Sequence, residues 1–140
     1  WHYPQADHLF ILADSGGSNG ACVRMWKWAL QRQVADLYGL TITVSHFPTG
    51  TSKWNPIEHR LFSEISKHWA GQPLDSYEII VDLIGSTTTQ TGLQVRSQLI
   101  RKHYPTQRKV SESQFKTIHL DPHAVLPRWN YTIFPTENRN

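Results

Sequence analysis

The segment His8-Leu9-Phe10-Ile11-Leu12-Ala13-Asp14-Ser15-Gly16-Gly17 limits which fold class the chain can adopt. Its first part is a short apolar run, and the turn-forming residues 14–20 follow it directly. An apolar run that stops at turn formers is typical of a buried strand that enters a loop. The pattern therefore predicts a strand over residues 8–13, with Asp14 at its carboxyl end.

A helix and a second strand follow. Apolar residues recur at helical spacing between Val23 and Tyr38, and Gly39 is suited to end the helix. Apolar and polar residues alternate over Leu40–Val44, and most of them are β-branched. This pattern predicts a strand that ends near residues 46–48. Strand, helix and strand in this order normally form a right-handed parallel crossover. The fold class is therefore predicted to be α/β. The apolar stripe of the helix consists of Trp26, Leu30, Val34 and Leu37.

Two further helices are predicted in the middle of the chain. Asn55-Pro56-Ile57-Glu58 combines a capping side chain, a proline at the first helical position and an acid three residues after the cap. This helix should end near Gly71. The next should begin at Asp75 or Ser76, with Glu78 in a capping box, and extend to residues 87–89.

The last third of the sequence carries weaker patterns. Leu93, Val95 and Leu99 predict a strand or a short helix, and residues 111–114 resemble a helix cap. The aromatic segment 129–131 suggests no chemistry.

Composition excludes several classes of protein. The 140 residues are 39% hydrophobic with a formal net charge of +3, which fits one globular domain with a mildly basic surface. No apolar run approaches the ~20 residues of a membrane span, and no apolar signal-peptide stretch is present. The single cysteine, Cys22, gives neither a disulfide nor a zinc-finger pattern. We therefore expect a soluble, unexported cytoplasmic protein that does not act at a membrane.

Two carboxylates form the candidate catalytic site. Asp14 ends the first predicted strand, and Glu58 lies in the first turn of the helix after the second strand. Ligands of open α/β sheets gather at the carboxyl ends of the strands, so this layout favours a shared site. Carboxylates of this kind bind Mg²⁺, and paired metals promote phosphoryl transfer. The alternatives are structural: Asp14 could cap the glycine-rich turn, and Glu58 could complete a capping box.

Other polar residues are more ambiguous. Lys53, Arg60 and Lys67 flank the candidate site and could contact phosphates, although a solvated basic surface explains them equally well. His46, His59 and His68 lack a metal-binding spacing, which favours packing or surface roles over metal ligation.

Three stretches together resemble the DDE transposases of bacterial insertion sequences, and within them the ISAzo-type group. These stretches are Ile11–Gly20, Leu40–Val44 continuing through His46-Phe47-Pro48, and Gly50–Arg60. Weaker similarities continue through residues 88–92, 104–106 and 129–133.

The resemblance implies an RNase H-like domain in which two Asp and one Glu bind two divalent metal ions, Mg²⁺ or Mn²⁺, for DNA strand cleavage and strand transfer. Asp14 matches the second Asp of the family and Glu58 matches the final Glu. The first Asp lies on an earlier strand, and Asp7 does not match it.

The chain is thus expected to be a transposase fragment that lacks the first strands and is inactive alone. Residues 1–92 would be the carboxyl-terminal part of the catalytic domain, and residues 93–140 a helical or irregular extension packed on it. The implied partners are DNA, both the ends of the element and the target, and further copies in a homo-oligomer of the full protein. The implied location is the bacterial nucleoid.

Two other functions remain open. The chain could be a non-catalytic DNA-binding or interaction remnant of a transposase. It could also be an independent metal-dependent nuclease, with a third carboxylate from among Asp36, Glu64, Asp75, Glu78 and Asp82.

Overall fold

The computed structural model describes residues 3–136, except for the side chains of Ser52 and Glu58. The chain divides into two compact units, one formed by Trp1–Thr51 and Thr106–Asn140 and the other by Ser52–Pro105. Both helices and strands are present, so the α/β class is confirmed. The division into residues 1–92 and 93–140 stays a prediction.

The predicted strand–helix–strand order is confirmed in the first unit. Strand β1 covers His8–Asp14, and strand β2 covers Thr41–Phe47. They pair in parallel, from His8 opposite Thr41 to Asp14 opposite Phe47.

The intervening helical stretch consists of α1 (Arg24–Leu30), a π-helical segment (Gln31–Ala35) and α2 (Asp36–Tyr38). Gly39 ends it in the left-handed region at φ 66°, a conformation that glycine adopts without steric cost. The π-helical segment was not predicted. Its wider i→i+5 bonding breaks the 3.6-residue period, and Leu37, which the stripe placed on the apolar face, is 65% exposed.

Two short strands from the end of the chain complete the sheet. Strand β3 covers Leu120–Pro122 and strand β4 covers Asn130–Ile133. β4 pairs antiparallel with both β2 and β3, which gives the strand order β1-β2-β4-β3. The irregular or helical extension predicted after residue 92 is therefore wrong in this part. Strands of three or four residues are too short to give a periodic pattern.

The core of the first unit lies between this sheet and the helical stretch. Tyr131 and Ile133 of β4 are completely buried beside Ile42 and Val44 of β2. Burial of aliphatic and aromatic side chains is the main favourable contribution to folding. Two residues of strand β4, late in the sequence, are thus part of the core. Its buried members are Leu30, Ala35, Ile42, Val44, Tyr131 and Ile133.

The second unit is helical. It contains a 3₁₀ turn (Ser52–Trp54), a π-helical segment (Glu58–Phe62), helix α3 (Ser63–Trp69) and helix α4 (Tyr77–Gly85), and α3 packs on α4. The predicted start of α4 is confirmed, since the Ser76 hydroxyl accepts a hydrogen bond from the Ile79 amide at 3.2 Å.

Three details predicted for the second half differ. With Ser76 as the cap, Glu78 is one residue too early for a capping box and instead pairs with Arg101. Helix α4 ends at Gly85 rather than at residues 87–89. Residues 86–105 contain no regular element, only an isolated bridge between Thr88 and Gln94, so the strand or helix predicted around Leu93 is wrong.

The predicted cap at residues 111–114 is confirmed. Helix α5 (Glu112–Phe115) begins with a complete capping box between Ser111 and Gln114. Within residues 3–136, no helix combines the length and the apolar character required to cross a membrane.

Candidate active site

Asp14 is the last residue of β1, at the carboxyl end of the parallel β1–β2 pair. Its side chain is exposed, and no described residue forms a hydrogen bond or ion pair with its carboxylate. The turn that follows, Gly17–Asn19, begins without a side-chain cap. The structural alternative for Asp14, capping this turn, is therefore not found among the described residues. Its carboxylate oxygens are accessible to a ligand.

The loops that follow β1 and β2 are joined beside Asp14. The hydroxyls of Ser15 and Thr49 form a hydrogen bond of 3.1 Å, and the Thr51 hydroxyl donates to the backbone oxygen of Pro48 at 2.6 Å. At Gly20, an added Cβ would lie only 2.7 Å from the backbone oxygen of Ser15. The tight turn after Asp14 therefore requires glycine at this position.

A buried hydrogen-bond chain supports the backbone of Asp14. His46 is 5% exposed, and its Nδ1–H donates to the backbone oxygen of Asp14 at 3.0 Å. Its Nε2 lies 3.1 Å from the hydroxyl of Tyr131, which also accepts a hydrogen bond from Trp26 Nε1 at 3.1 Å. In the neutral ring this fixes the tautomer, with the tyrosine hydroxyl as donor to Nε2. Three side chains thus connect the core to the end of β1.

The environment of Tyr131 keeps its hydroxyl protonated. Burial raises the pKa of Tyr131 to about 12, although the hydrogen bond from Trp26 acts in the opposite direction. The ammonium group of Lys27 lies 4.6 Å from the centre of the tyrosine ring. Burial also lowers the pKa of Lys27, against the effect of Cys22, which raises it.

Glu58 begins the π-helical segment of the second unit, and its side chain lies outside the described part of the chain. The predicted helix start is confirmed by the Asn55 side chain, whose Oδ1 accepts from the Ile57 amide at 3.2 Å. The catalytic and capping interpretations of Glu58 both stay predictions. Asp14 belongs to the first unit and Glu58 to the second.

Lys53 and Arg60 are exposed on either side of Glu58 in the sequence. The Lys53 ammonium lies 5.4 Å from the centre of the Trp54 ring, and the backbone oxygen of Lys53 is 2.6 Å from His59 Nε2. Neither cation forms an ion pair with a described residue. Both charges are therefore available to an anionic partner.

Arg60 also lines a groove in the second unit, with a volume of about 880 Å³. Hydroxyl groups and one carboxylate line it together with apolar side chains, and the carboxylate, Glu64, pairs with Lys67 at 2.7 Å. The lining residues are Ile57, His59, Arg60, Leu61, Ser63, Glu64, Thr88, Thr89, Gln90, Thr91 and Leu93.

The three histidines considered as metal ligands all have protein partners. His46 is bound as described, His59 contacts Lys53, and His68 Nε2 lies 3.0 Å from the Ser86 hydroxyl. These contacts support the packing interpretation. Within the described residues, no group of three or more His, Cys, Asp or Glu side chains is placed to hold a metal ion.

Three of the five acids considered for an independent nuclease form ion pairs. Asp36 pairs with Arg32, Glu64 with Lys67, and Glu78 with Arg101. These contacts explain the three acids structurally. What sequence reasoning missed is the support of Asp14 by Tyr131 and Trp26, because the three residues lie far apart in the chain. The one available signal was His46, which occupies an inward position of β2 in phase with Ile42 and Val44.

Comparison of the sequence with known families gives the class of protein to which this fold and strand end belong. Residues 1–135 match the family model described as the Rhodopirellula transposase DDE domain. The chain therefore belongs to this family of DDE transposases. No curated protein and no solved structure matches the chain significantly.

Proposed function

We propose that this chain is part of the catalytic domain of an insertion-sequence transposase that cleaves and transfers DNA strands with two divalent metal ions, Mg²⁺ or Mn²⁺. Asp14 and Glu58 are two of the three metal-binding carboxylates. The observation that carries the proposal is the exposed, unpaired Asp14 carboxylate at the end of β1, in a chain that belongs to a DDE transposase family.

The donor chemistry at Asp14 suits a hard divalent cation. Mg²⁺ prefers carboxylate and water oxygens, and an exposed carboxylate without a protein partner supplies such oxygens with little rearrangement. Only eleven positions separate Glu58 from Phe47, the residue opposite Asp14 in the parallel pair. When bound, the metals lower the pKa of the attacking water or 3′-hydroxyl and stabilise the leaving oxygen.

The residues of this chain would orient the Asp14 carboxylate and would supply positive charge for the phosphates of the DNA. His46 fixes the Asp14 backbone through Nδ1, and the linked loops at Ser15 and Thr49 limit its motion. Lys53 and Arg60 would contact the phosphates of the DNA, which positions the strand without reading its sequence. The attacking water or 3′-hydroxyl would lose a proton as its oxygen forms a bond to phosphorus, while the bond from phosphorus to the 3′ oxygen breaks and that leaving oxygen takes up a proton.

The proposal includes an RNase H-like core, of which β1, the α1–α2 stretch and β2 would be the later part. The third carboxylate would come from an earlier strand of the transposase, so these 140 residues should not cleave DNA alone. In the full protein, the catalytic domains would act as a homo-oligomer on both ends of the element.

Metal binding is the test. We would titrate Mn²⁺ into the 140-residue chain by isothermal titration calorimetry and electron paramagnetic resonance. Asp14→Asn and Glu58→Gln should each weaken Mn²⁺ binding by at least about tenfold, because even outer contacts of a metal site cost that much. Asp7→Asn, whose side chain is 95% exposed at the other end of β1, and Glu64→Gln in α3 are the matched controls.

The outcomes separate the alternatives. Equal weakening in the controls, or no effect of either site variant, would remove Asp14 and Glu58 from the metal site and favour the non-catalytic remnant. Mn²⁺-dependent DNA cleavage by the isolated chain that Glu58→Gln abolishes would contradict its inactivity.

A further inference from the structure

Residues 96–109, called the basic arm below, carry a concentration of positive charge that the candidate active site does not use. The arm contains five of the chain's fourteen Lys and Arg residues, and no Asp or Glu occurs between Asp82 and Glu112. The five are Arg96, Arg101, Lys102, Arg108 and Lys109. A charge cluster without compensating acids attracts polyanions.

The arm is also irregular and accessible. No residue of 96–109 belongs to a helix or strand, and every residue from 100 to 109 is exposed. The five charges are distributed over fourteen consecutive positions of the sequence. This distribution suits a linear polyanion better than a single small anion.

The first part of the arm is fixed to helix α4 of the same unit. The Ser97 hydroxyl donates to the backbone oxygen of Val81, and Arg101 pairs with Glu78. The approach at Ser97 is close, because a Cβ added at Gly85 would lie 2.7 Å from the Ser97 hydroxyl oxygen. These contacts hold the first part of the arm in place before any partner binds, which lowers the entropic cost of binding there.

Four of the five cations remain without an ion-pair partner in the described part of the chain: Arg96, Lys102, Arg108 and Lys109. Lys102 lies 5.6 Å from the centre of the exposed Tyr104 ring. The arm therefore offers cations, one aromatic ring and backbone amides that no sheet or helix uses. These are the groups that contact the phosphates and sugars of nucleic acids.

We propose that the basic arm is a DNA-backbone contact of this transposase domain, separate from the metal-binding carboxylates and independent of metal. The inference rests on the proposed function for the choice of DNA as the polyanion. Binding would be largely insensitive to sequence and strongly sensitive to salt, because each neutralised phosphate releases condensed counterions.

The test is DNA binding in the presence of EDTA, so that the metal site cannot contribute. Fluorescence anisotropy with a labelled 30-base-pair duplex of arbitrary sequence would be measured from 50 to 200 mM NaCl for two double variants. Lys102→Gln with Lys109→Gln neutralises the arm. Lys67→Gln with Lys116→Gln removes the same charge from exposed helical and turn positions outside the arm.

The arm variant should bind about tenfold more weakly per lost phosphate contact near 0.1 M salt, and its slope of log K against log salt should fall by about 1.8. The control variant should retain the slope of the unmodified chain. Circular dichroism of both variants checks that they fold. DNA should also slow tryptic cleavage at Lys102 and Lys109 but not at Lys67 and Lys116.

Equal salt slopes for the two double variants would overturn the proposal that the arm contacts DNA, although the chain would still bind DNA elsewhere. Absence of any DNA binding by the unmodified chain would overturn it as well. In either case the Mn²⁺ titrations of Asp14 and Glu58 variants still judge the active site, because they require no DNA.

Discussion

His46 Nδ1 lies 3.0 Å from the backbone oxygen of Asp14, so a buried histidine of β2 holds the end of the neighbouring strand β1. The contact crosses the parallel pair at the edge where the candidate carboxylate is presented. Because the other nitrogen of His46 contacts Tyr131 of β4, the position of Asp14 depends on a strand more than a hundred residues later in the sequence.

Tyr131→Phe should lower the free energy of unfolding by about 1–3 kcal/mol, since it leaves Trp26 Nε1–H and His46 Nε2 buried without a partner. The measurement is urea denaturation followed by circular dichroism. Tyr77→Phe is the matched control, because Tyr77 is 71% exposed and should change the stability by less than about 0.5 kcal/mol. Equal effects of the two variants would show that the hydrogen-bond chain contributes nothing.

Alkaline pH should destabilise the chain through the same tyrosine. Its pKa is about 12 in the folded protein, above the usual value of 10.0. The stabilisation of the fold by the protonated hydroxyl is therefore complete below pH 10 and is lost as the pH rises toward 12. Two pKa units correspond to about 3 kcal/mol. The lowered pKa of Lys27 has the opposite effect, because it makes the folded chain more stable as the pH rises toward 10.5. Tyr131→Phe retains Lys27, so this effect is present in both proteins.

The measurement is the urea midpoint at pH 9.5 and pH 11.5 for both proteins. We expect the unmodified chain to lose more stability across this interval than Tyr131→Phe. Parallel pH dependence of the two would contradict a buried, protonated hydroxyl.

Acid should weaken a second hydrogen-bonded cluster, which is centred on the partly exposed Asp36. Burial alone would raise the pKa of Asp36, but hydrogen bonds from the Thr136 amide and the Gln31 side chain, together with Arg32, lower it overall. A carboxyl group with a lowered pKa stabilises the fold above its unfolded pKa of about 3.8, and this contribution is lost as the pH falls through the folded value.

Asp36→Asn should therefore destabilise the chain by about 1–3 kcal/mol at pH 7, and the difference should shrink below about pH 4. Asp75→Asn, at an exposed position, is the control and should be nearly neutral at both values. The measurement is thermal unfolding at pH 7 and pH 3. A difference that persists at pH 3 would indicate that the aspartate acts by its shape rather than by its charge.

The elements that the sequence predicted well are those with long periodic patterns. β1, the helical stretch to Gly39 and β2 follow directly from apolar runs and helical spacing, and their parallel order follows from chain connectivity. β4 was missed because its four residues are too few to show a periodic pattern, and they form a strand by pairing with the distant strand β2. The support of Asp14 was missed for the same reason.

The two π-helical segments mark a different limit. Apolar spacing assumes 3.6 residues per turn, so it placed Leu37 on a buried face, whereas Leu37 is 65% exposed. Asp14 itself was predictable as a candidate because a strand end followed by turn formers identifies its position. Only the structure could show that its carboxylate has no protein partner among the described residues.

Strand β1 should drive self-association of the chain. It lies at the edge of the sheet, and Phe10 and Leu12, on the face opposite Ala13, are 61% and 51% exposed. Edges with unpaired backbone groups and exposed apolar side chains favour aggregation.

Phe10→Lys with Leu12→Lys should shift the chain toward the monomer in sedimentation velocity, because charge on an edge strand opposes pairing. Leu37→Lys with Tyr77→Lys removes comparably exposed apolar side chains elsewhere, and it should leave the sedimentation profile unchanged. A monomeric unmodified chain at high concentration would contradict the prediction.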